Sequence, residues 1–312
     1  MNKLFERSPG AKLGGITGTR AVKRGSIKKL SAFLLCAAFA VCPVFAAKPP
    51  PKLQPVNLGS AASFAVFGKT GVTNPVLSHT VITGDLGTTT PDAVTGFVVD
   101  DAVSAGAGVV KGHIQDSDTG SEITAATHAQ ASLGLAITDA NGRLCPAAQV
   151  PVGCALAGEL GGTTIYPGVY KNGGVVNVSG ILYLSGKGVY IFQIAGGLIV
   201  NPGGTVVLEK GATAADVFWV TTQATLNSSL PFEGNILSST SVTFTATSGG
   251  TALTGRALAL ANVTFAAGDT VTIPTAQKGQ GGQGDQHGQG DQHGQGDQHG
   301  QGGQGDQHDQ HD

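Results

Sequence analysis

The carboxylates are the first place to look for catalysis, and in this chain they are scattered. Asp85, Asp92, Glu159, Glu209, Asp216, Glu233 and Asp269 sit mostly next to Gly, Thr or Ser in turn-like contexts. The best pairs are Asp100-Asp101 and Asp116-x-Asp118. A hydrolase or lyase needs two carboxylates, or a carboxylate and a base, converging on one bond. Solvated turns explain these pairs more simply. No Gly-x-Ser-x-Gly, phosphate-cradling glycine loop or zinc-ligand spacing occurs, and no catalytic constellation stands out.

Histidine and cysteine carry the remaining metal and redox chemistry. Five of the eight histidines, His287, His293, His299, His308 and His311, fall in a terminal tract built of Gly, Gln, Asp and His, each within two residues of an Asp. Chelation by such a tract is conceivable. The plainer reading is a soluble spacer, because a floppy segment without a preorganised site holds metal weakly. Four cysteines are present, and Cys145 and Cys154 lie nine positions apart with Pro146 and Pro151 between them. In an exported chain they are expected to form one local disulfide.

Threonine offers a different kind of chemistry, recognition by a lattice. If the strands around Thr225, Thr243 and Thr264 stack in register, these residues form one outward row. Asn227, Thr245 and Ala266 then stand on one flank, and Gln223, Ser241 and Asn262 on the other. Neighbouring strands would lie about 4.7–4.9 Å apart and alternate residues about 6.5–7 Å apart. Each threonine holds a methyl and a hydroxyl on a stiff χ1. Such a grid can order water into an ice-like pattern. The pattern alone equally fits the preference of β-branched residues for strands.

Something must hold that lattice flat. Short β-type runs such as Val189-Tyr190-Ile191-Phe192, Val217-Phe218-Trp219-Val220 and Asn262-Val263-Thr264-Phe265 are bounded by Gly, Asn or Ser and recur at intervals of about 18 to 28 residues. The first strand of each unit is apolar on successive residues and needs cover on both sides. The second alternates, with Val242 and Phe244 inward and Ser241, Thr243 and Thr245 outward. This describes a coil of two or three strands per turn, with a sandwich as the competing arrangement. One amphipathic helix, about residues 121–141, supplies the cover: Ile123, Ala126, Leu133, Ile137 and Ala140 recur on one side, with Ser121 as N-cap and Asn141-Gly142 as stop.

The ends of the chain set its context. Residues 1–29 are basic, and residues 30–46 run apolar into Val44-Phe45-Ala46-Ala47, the order of a secretory signal peptide cut near Ala46. The mature chain then has no membrane span. It keeps 10 basic against 19 acidic side chains, which argues against a nucleic-acid partner. Residues 47–55 read as a Pro-rich linker, 56–276 as the folded domain and 277–312 as a disordered tail. A charged fraction of 12% with 49 glycines suits a narrow core wound through tight turns better than an enzyme.

Several segments together resemble one family. They are Val56-Asn57-Leu58-Gly59-Ser60-Ala61-Ala62-Ser63-Phe64-Ala65-Val66, Val81-Ile82-Thr83-Gly84-Asp85-Leu86-Gly87, Tyr166-Pro167-Gly168-Val169-Tyr170 and Gly188-Val189-Tyr190-Ile191-Phe192-Gln193. Thr254-Gly255-Arg256-Ala257-Leu258-Ala259 adds a fifth. In this order they are similar to the microbial ice-binding-protein family. The resemblance implies an all-β fold with one long helix: a right-handed β-solenoid of roughly triangular cross-section, with the α-helix packed along one face. It further implies that a flat β-face without a strict threonine repeat adsorbs to an ice crystal surface and yields thermal hysteresis and ice recrystallisation inhibition; the strand pattern above puts that face at Gln223, Thr225, Asn227, Ser241, Thr243, Thr245, Asn262 and Thr264. The resemblance also implies no cofactor and no turnover, and the expected protein is a secreted monomer. The Cys145 to Cys154 loop and the histidine-rich tail depart from the family pattern. An exported structural or adhesive β-solenoid binding carbohydrate or protein is the alternative.

Overall fold

The computed structural model describes residues 52–75, 78–99, 106–117, 119–145 and 154–275. The segment read as a signal peptide, the histidine-rich tract and the Asp100-Asp101 pair lie outside them, as does Asp118. The described strands pair in parallel and form three stacks, one for each side of a coil. The expected solenoid is observed, and the competing sandwich is not.

The first stack explains the doubly apolar strands. Its order in space is Gly168–Asn172, Tyr190–Val200, Val217–Leu226, Phe232–Phe244, Ala252–Ala259, Phe64–Gly68, Asp85–Gly87 and Ile114–Gln115. Tyr190, Phe192, Trp219 and Ile236 point into the coil, whereas Ile191, Phe218, Val220, Leu237 and Leu258 belong to a separate apolar layer beneath the helix. Inside the coil the rings of Tyr170, Phe192 and Trp219 stack at centroid distances of 5.7 and 4.1 Å. The Trp219 indole N–H donates to the Glu233 carbonyl at 2.9 Å. Such a ladder repeats one contact from rung to rung, which is how a narrow core excludes water without bulk.

Chain order and spatial order differ. Phe64–Gly68 pairs with Ala252–Ala259 through Val66↔Ala257, so the earliest coils are stacked beyond the latest ones. The chain starts mid-stack, winds out to Ile114–Gln115, and re-enters at Thr164–Ile165 and Gly168–Asn172 at the opposite end. The helix Gly120–Gly142 makes the return. Its 23 residues span about 34 Å at 1.5 Å per residue. Eight stacked strands need about the same length at 4.7–4.9 Å spacing.

The helix differs from the sequence reading at its ends. Thr119, not Ser121, is the N-cap, and it forms a capping box with Glu122. At the other end the Gln193 amide, buried on the first stack, donates to the Ala140 and Arg143 carbonyls at 2.7 and 2.8 Å. Buried positions are Ala126, Ala129, Leu133, Ala136, Ile137 and Ala140. Ile123 instead is 48% exposed, and the buried line of the helix begins at Ala126 and Ala129. Gly134 faces open space, so no close approach requires it. The guanidinium of Arg143 donates to the carbonyls of Gln54 and Pro55, and Leu53 packs on the layer beneath the helix. The segment read as a linker is therefore already docked at its end.

The end of the coil nearest the helix C-terminus is closed by residues 154–163. Leu156 and Leu160 plug the core there, and Leu156 N–H bonds the Lys171 carbonyl at 2.9 Å. Cys145 and Cys154 are joined, with Cα atoms 6.0 Å apart. The bridge ties this closing segment to the helix end.

Candidate functional site

The second stack carries the threonine lattice. Outward side chains follow one another in register across it: Asn177, Ile199, Thr225, Thr243, Thr264, Thr73 and Thr95. The expected row of three is thus a row of five. Val176, Leu198, Ala224, Val242, Val263 and Val72 stand inward beside it and are buried, which pins the alternation. On one flank Gly197, Gln223 and Ser241 pair in turn, and Asn262 pairs with Gly71. On the other stand Asn227 and Thr245, whose N–H groups bond the carbonyls of Val200 and Leu226 at 2.8 Å. All eight residues predicted for the site are brought together on one surface. Gln223 and Asn262 are exposed, and the other six are half-buried among their neighbours.

Thr73 and Thr95 were missed by sequence reasoning. Their signal was present as the dipeptides Val72-Thr73 and Val94-Thr95, which repeat the inward-outward pair of Val242-Thr243 and Val263-Thr264. Nothing local indicated that strands 191 residues apart would adjoin through Thr264↔Thr73.

Rigidity comes from the corner between the first two stacks. Each long strand bends there with a register shift, between Ile194 and Gly197 and between Thr221 and Gln223. Thr221 Oγ1 donates to the Gly196 carbonyl at 3.0 Å, Thr222 Oγ1 to Ala195 at 2.8 Å, and Ser238 Oγ to Thr222 at 2.7 Å. These hydroxyls satisfy carbonyls that leave the ladder at the bend.

Within the grid of five threonines and their flanks no side chain is ionisable. Among the described residues, a carboxylate adjoins the row at its far end, where Glu159 bridges to Asn177, and the buried Asp269 accepts from the Ala266 N–H on one flank at 2.7 Å. Burial pushes the Glu159 carboxyl upward. The Ser179 hydroxyl at 2.7 Å and the N–H groups of Gly161 and Ser179 outweigh this and hold it below the usual range. The third stack contrasts. Its outward row reads Thr164, Tyr183 and Val207 in one part, and Glu233, Thr254, Thr272, Thr83 and Lys111 in the other. Burial raises the Glu233 pKa, opposed by a hydrogen bond from Thr254.

Among the described residues no group of three or more His, Cys, Asp or Glu is placed to hold a metal, and no helix is long and apolar enough to cross a membrane. His128 is exposed on the helix, and the tail histidines lie outside the described residues.

Comparison with known proteins places this architecture. Residues 66–272 match the profile of the Ice-binding-like family. The chain belongs to that family. An ice-binding protein of Flavobacterium frigoris is 38% identical over 232 residues, which are 71% of this chain and 78% of the relative. One from a Colwellia species is 33% identical, over 71% of this chain and 85% of the relative. Among solved structures, an ice-binding protein from an Arctic yeast superposes with a TM-score of 0.62 at 28% identity, covering 73% of this chain and 98% of that one. The ice-binding protein of the Antarctic ascomycete Antarctomyces psychrotrophicus gives 0.60 at 29% identity, covering 72% and 100%. Family membership thus rests on the folded coil and its returning helix together.

Proposed function

We propose that this chain is a secreted, monomeric ice-binding protein that adsorbs to ice through its second-strand face, inhibiting crystal growth and recrystallisation without chemical turnover. The observation that carries the reading is the uncharged, in-register row of Thr225, Thr243, Thr264, Thr73 and Thr95. Charged groups hold liquid water too firmly to match a crystal, whereas a plane of methyls and hydroxyls at fixed spacing shares its first water layer with ice. Adsorbed molecules force the front to grow in curved bulges between them, and curvature lowers the local freezing point. Many small contacts must engage at once, so the plane has to be preorganised. The parallel ladder and the bonded corners supply that. Export is supported by the sequence order of residues 1–47.

Observation of a single ice crystal in a cooled droplet tests the reading. Facets that persist across a gap between melting and freezing are expected; a rounded crystal growing freely at all protein concentrations would refute it. The adhesive alternative has one observation in its favour. Tyr183, with exposed Ile181 and Val207 near it, makes an apolar strip with an aromatic ring on the third face. Retention on a polysaccharide column by a chain that shapes no ice would favour it.

A further inference from the structure

The chain contains three Asn-x-Ser/Thr sequences in which x is not proline: Asn177-Val178-Ser179, Asn227-Ser228-Ser229 and Asn262-Val263-Thr264. That triplet is the acceptor for N-linked glycosylation in export routes that carry the transferase. All three fall on the second-strand face or its edge: Asn177 in the central row, Asn227 and Asn262 in the flanks. The coincidence has a geometric cause. A strand turns residues i and i+2 to the same side, so a lattice that presents Asn and Thr together on one strand spells the acceptor triplet automatically.

The three differ in accessibility. Asn177 is half-buried, donates to the Gly158 carbonyl and accepts from the Asn201 amide. Asn227 is half-buried, and Ser228 in its triplet is buried. Asn262 is exposed and opens the three-residue strand Asn262–Thr264. Its Nδ2 lies 3.2 Å from Thr264 Oγ1, the hydroxyl of its own triplet.

We infer that Asn262 is an N-glycan acceptor, and that a glycan there abolishes adsorption by standing off the threonine plane. The co-substrate is a lipid-linked oligosaccharide diphosphate. The Asn262 side-chain nitrogen forms a bond to C1 of the first sugar, the C1–oxygen bond to the diphosphate breaks, and the amide proton leaves with the lipid diphosphate. One sugar ring exceeds the strand spacing of about 4.7–4.9 Å, so a glycan on the flank holds the neighbouring threonines away from a crystal. An active form of this protein is therefore one made without modification at Asn262.

The effect on ice rests on the face assigned above; occupancy of Asn262 does not. The full chain would be exported from a host with the transferase and, separately, from one without it. Ser179→Ala and Ser229→Ala in both remove the other two acceptors. Lectin chromatography separates the glycoforms and peptide mass mapping locates the glycan. The expected result is a glycan at Asn262, thermal hysteresis reduced about tenfold or more in that fraction, and unreduced activity in the empty fraction of the same culture, with melting temperatures alike. An Asn262 left unmodified overturns the inference, and so does an occupied fraction with full hysteresis. Thr243→Tyr in unmodified protein separates the two failures. Loss of hysteresis there, beside an active glycoform, sinks the glycan inference alone, and retained hysteresis sinks the face assignment with it.

Discussion

The second and third faces of this coil are built from the same alphabet. Each alternates buried aliphatic with outward threonine, and each contains consecutive threonines in register: Thr225, Thr243, Thr264, Thr73 and Thr95 on one, Thr254, Thr272 and Thr83 on the other. What separates them is how the run ends. The third-face run is bracketed by Glu233 and Lys111, and Tyr183 stands further along the same face. The second-face run passes through Ile199 and Asn177 before it meets a carboxylate. Threonine content alone therefore does not define a recognition plane. An uninterrupted uncharged area does, because one hydrated ion or one protruding ring keeps a whole flat contact from closing.

The sharpest way to break this comparison is a matched pair of rings. Thr243→Tyr is expected to lower thermal hysteresis about tenfold by spoiling flush contact at the centre of the plane. Its melting temperature should stay within a few degrees, since the position is outward. Thr272→Tyr, the equivalent site on the third face, should leave hysteresis near wild type. If the third-face variant is the inactive one, the faces have been exchanged.

Thr73→Tyr asks how far the plane extends. The residue is in the row but one strand from its end, and a loss of about two- to threefold is expected from partial obstruction. Full activity would restrict the plane to the late coils.

Reduction of the Cys145–Cys154 bridge probes the end that both faces share. Because the bridged loop is local, unfolding in denaturant should show at most about 3 kcal/mol of lost stability, with hysteresis retained at low temperature. Collapse of both would mean that the closing segment organises the plane.

The smallest effect concerns Glu233. Burial raises its folded pKa above the unfolded value, so the ionised form costs stability at neutral pH. That cost fades as pH falls through the folded pKa. Glu233→Gln should thus melt about 1–2 °C higher than wild type near pH 7, and the gap should close on acidification. Hysteresis should not follow it, since Glu233 is on the third face. A gap that widens at low pH would contradict the sign.

Much of this was readable in advance. The doubly apolar strands around Tyr190 and Phe218 announced cover on both sides, and the alternation of Val242, Thr243 and Phe244 announced an outward threonine. The helix was placed to within two residues, although Thr119 was missed as its cap because Ser121 offered a competing hydroxyl nearby. The exposure of Ile123 was not readable, since a helical stripe says which residues are aligned but not how far the opposing surface reaches. Thr73 and Thr95 were missed for a stronger reason. Val72-Thr73 and Val94-Thr95 look no different from Val271-Thr272 or Ile82-Thr83, which lie on the third face.

Local patterning is enough to say which residues turn inward along each strand, that the strands repeat, and that a helix must cover one of their faces. These follow from periods of two and 3.6 residues, which are local properties of the backbone. Which side of the coil each Val-Thr pair occupies emerges only in the packed fold, as does the docking of the first coils beyond the last that lengthens the row from three threonines to five. The physical reason is that alternation marks inside against outside but carries no label for one outer face over another. That label comes from where the corners bend and from the long return of the helix, which sets the spatial order of coils against their order in the chain.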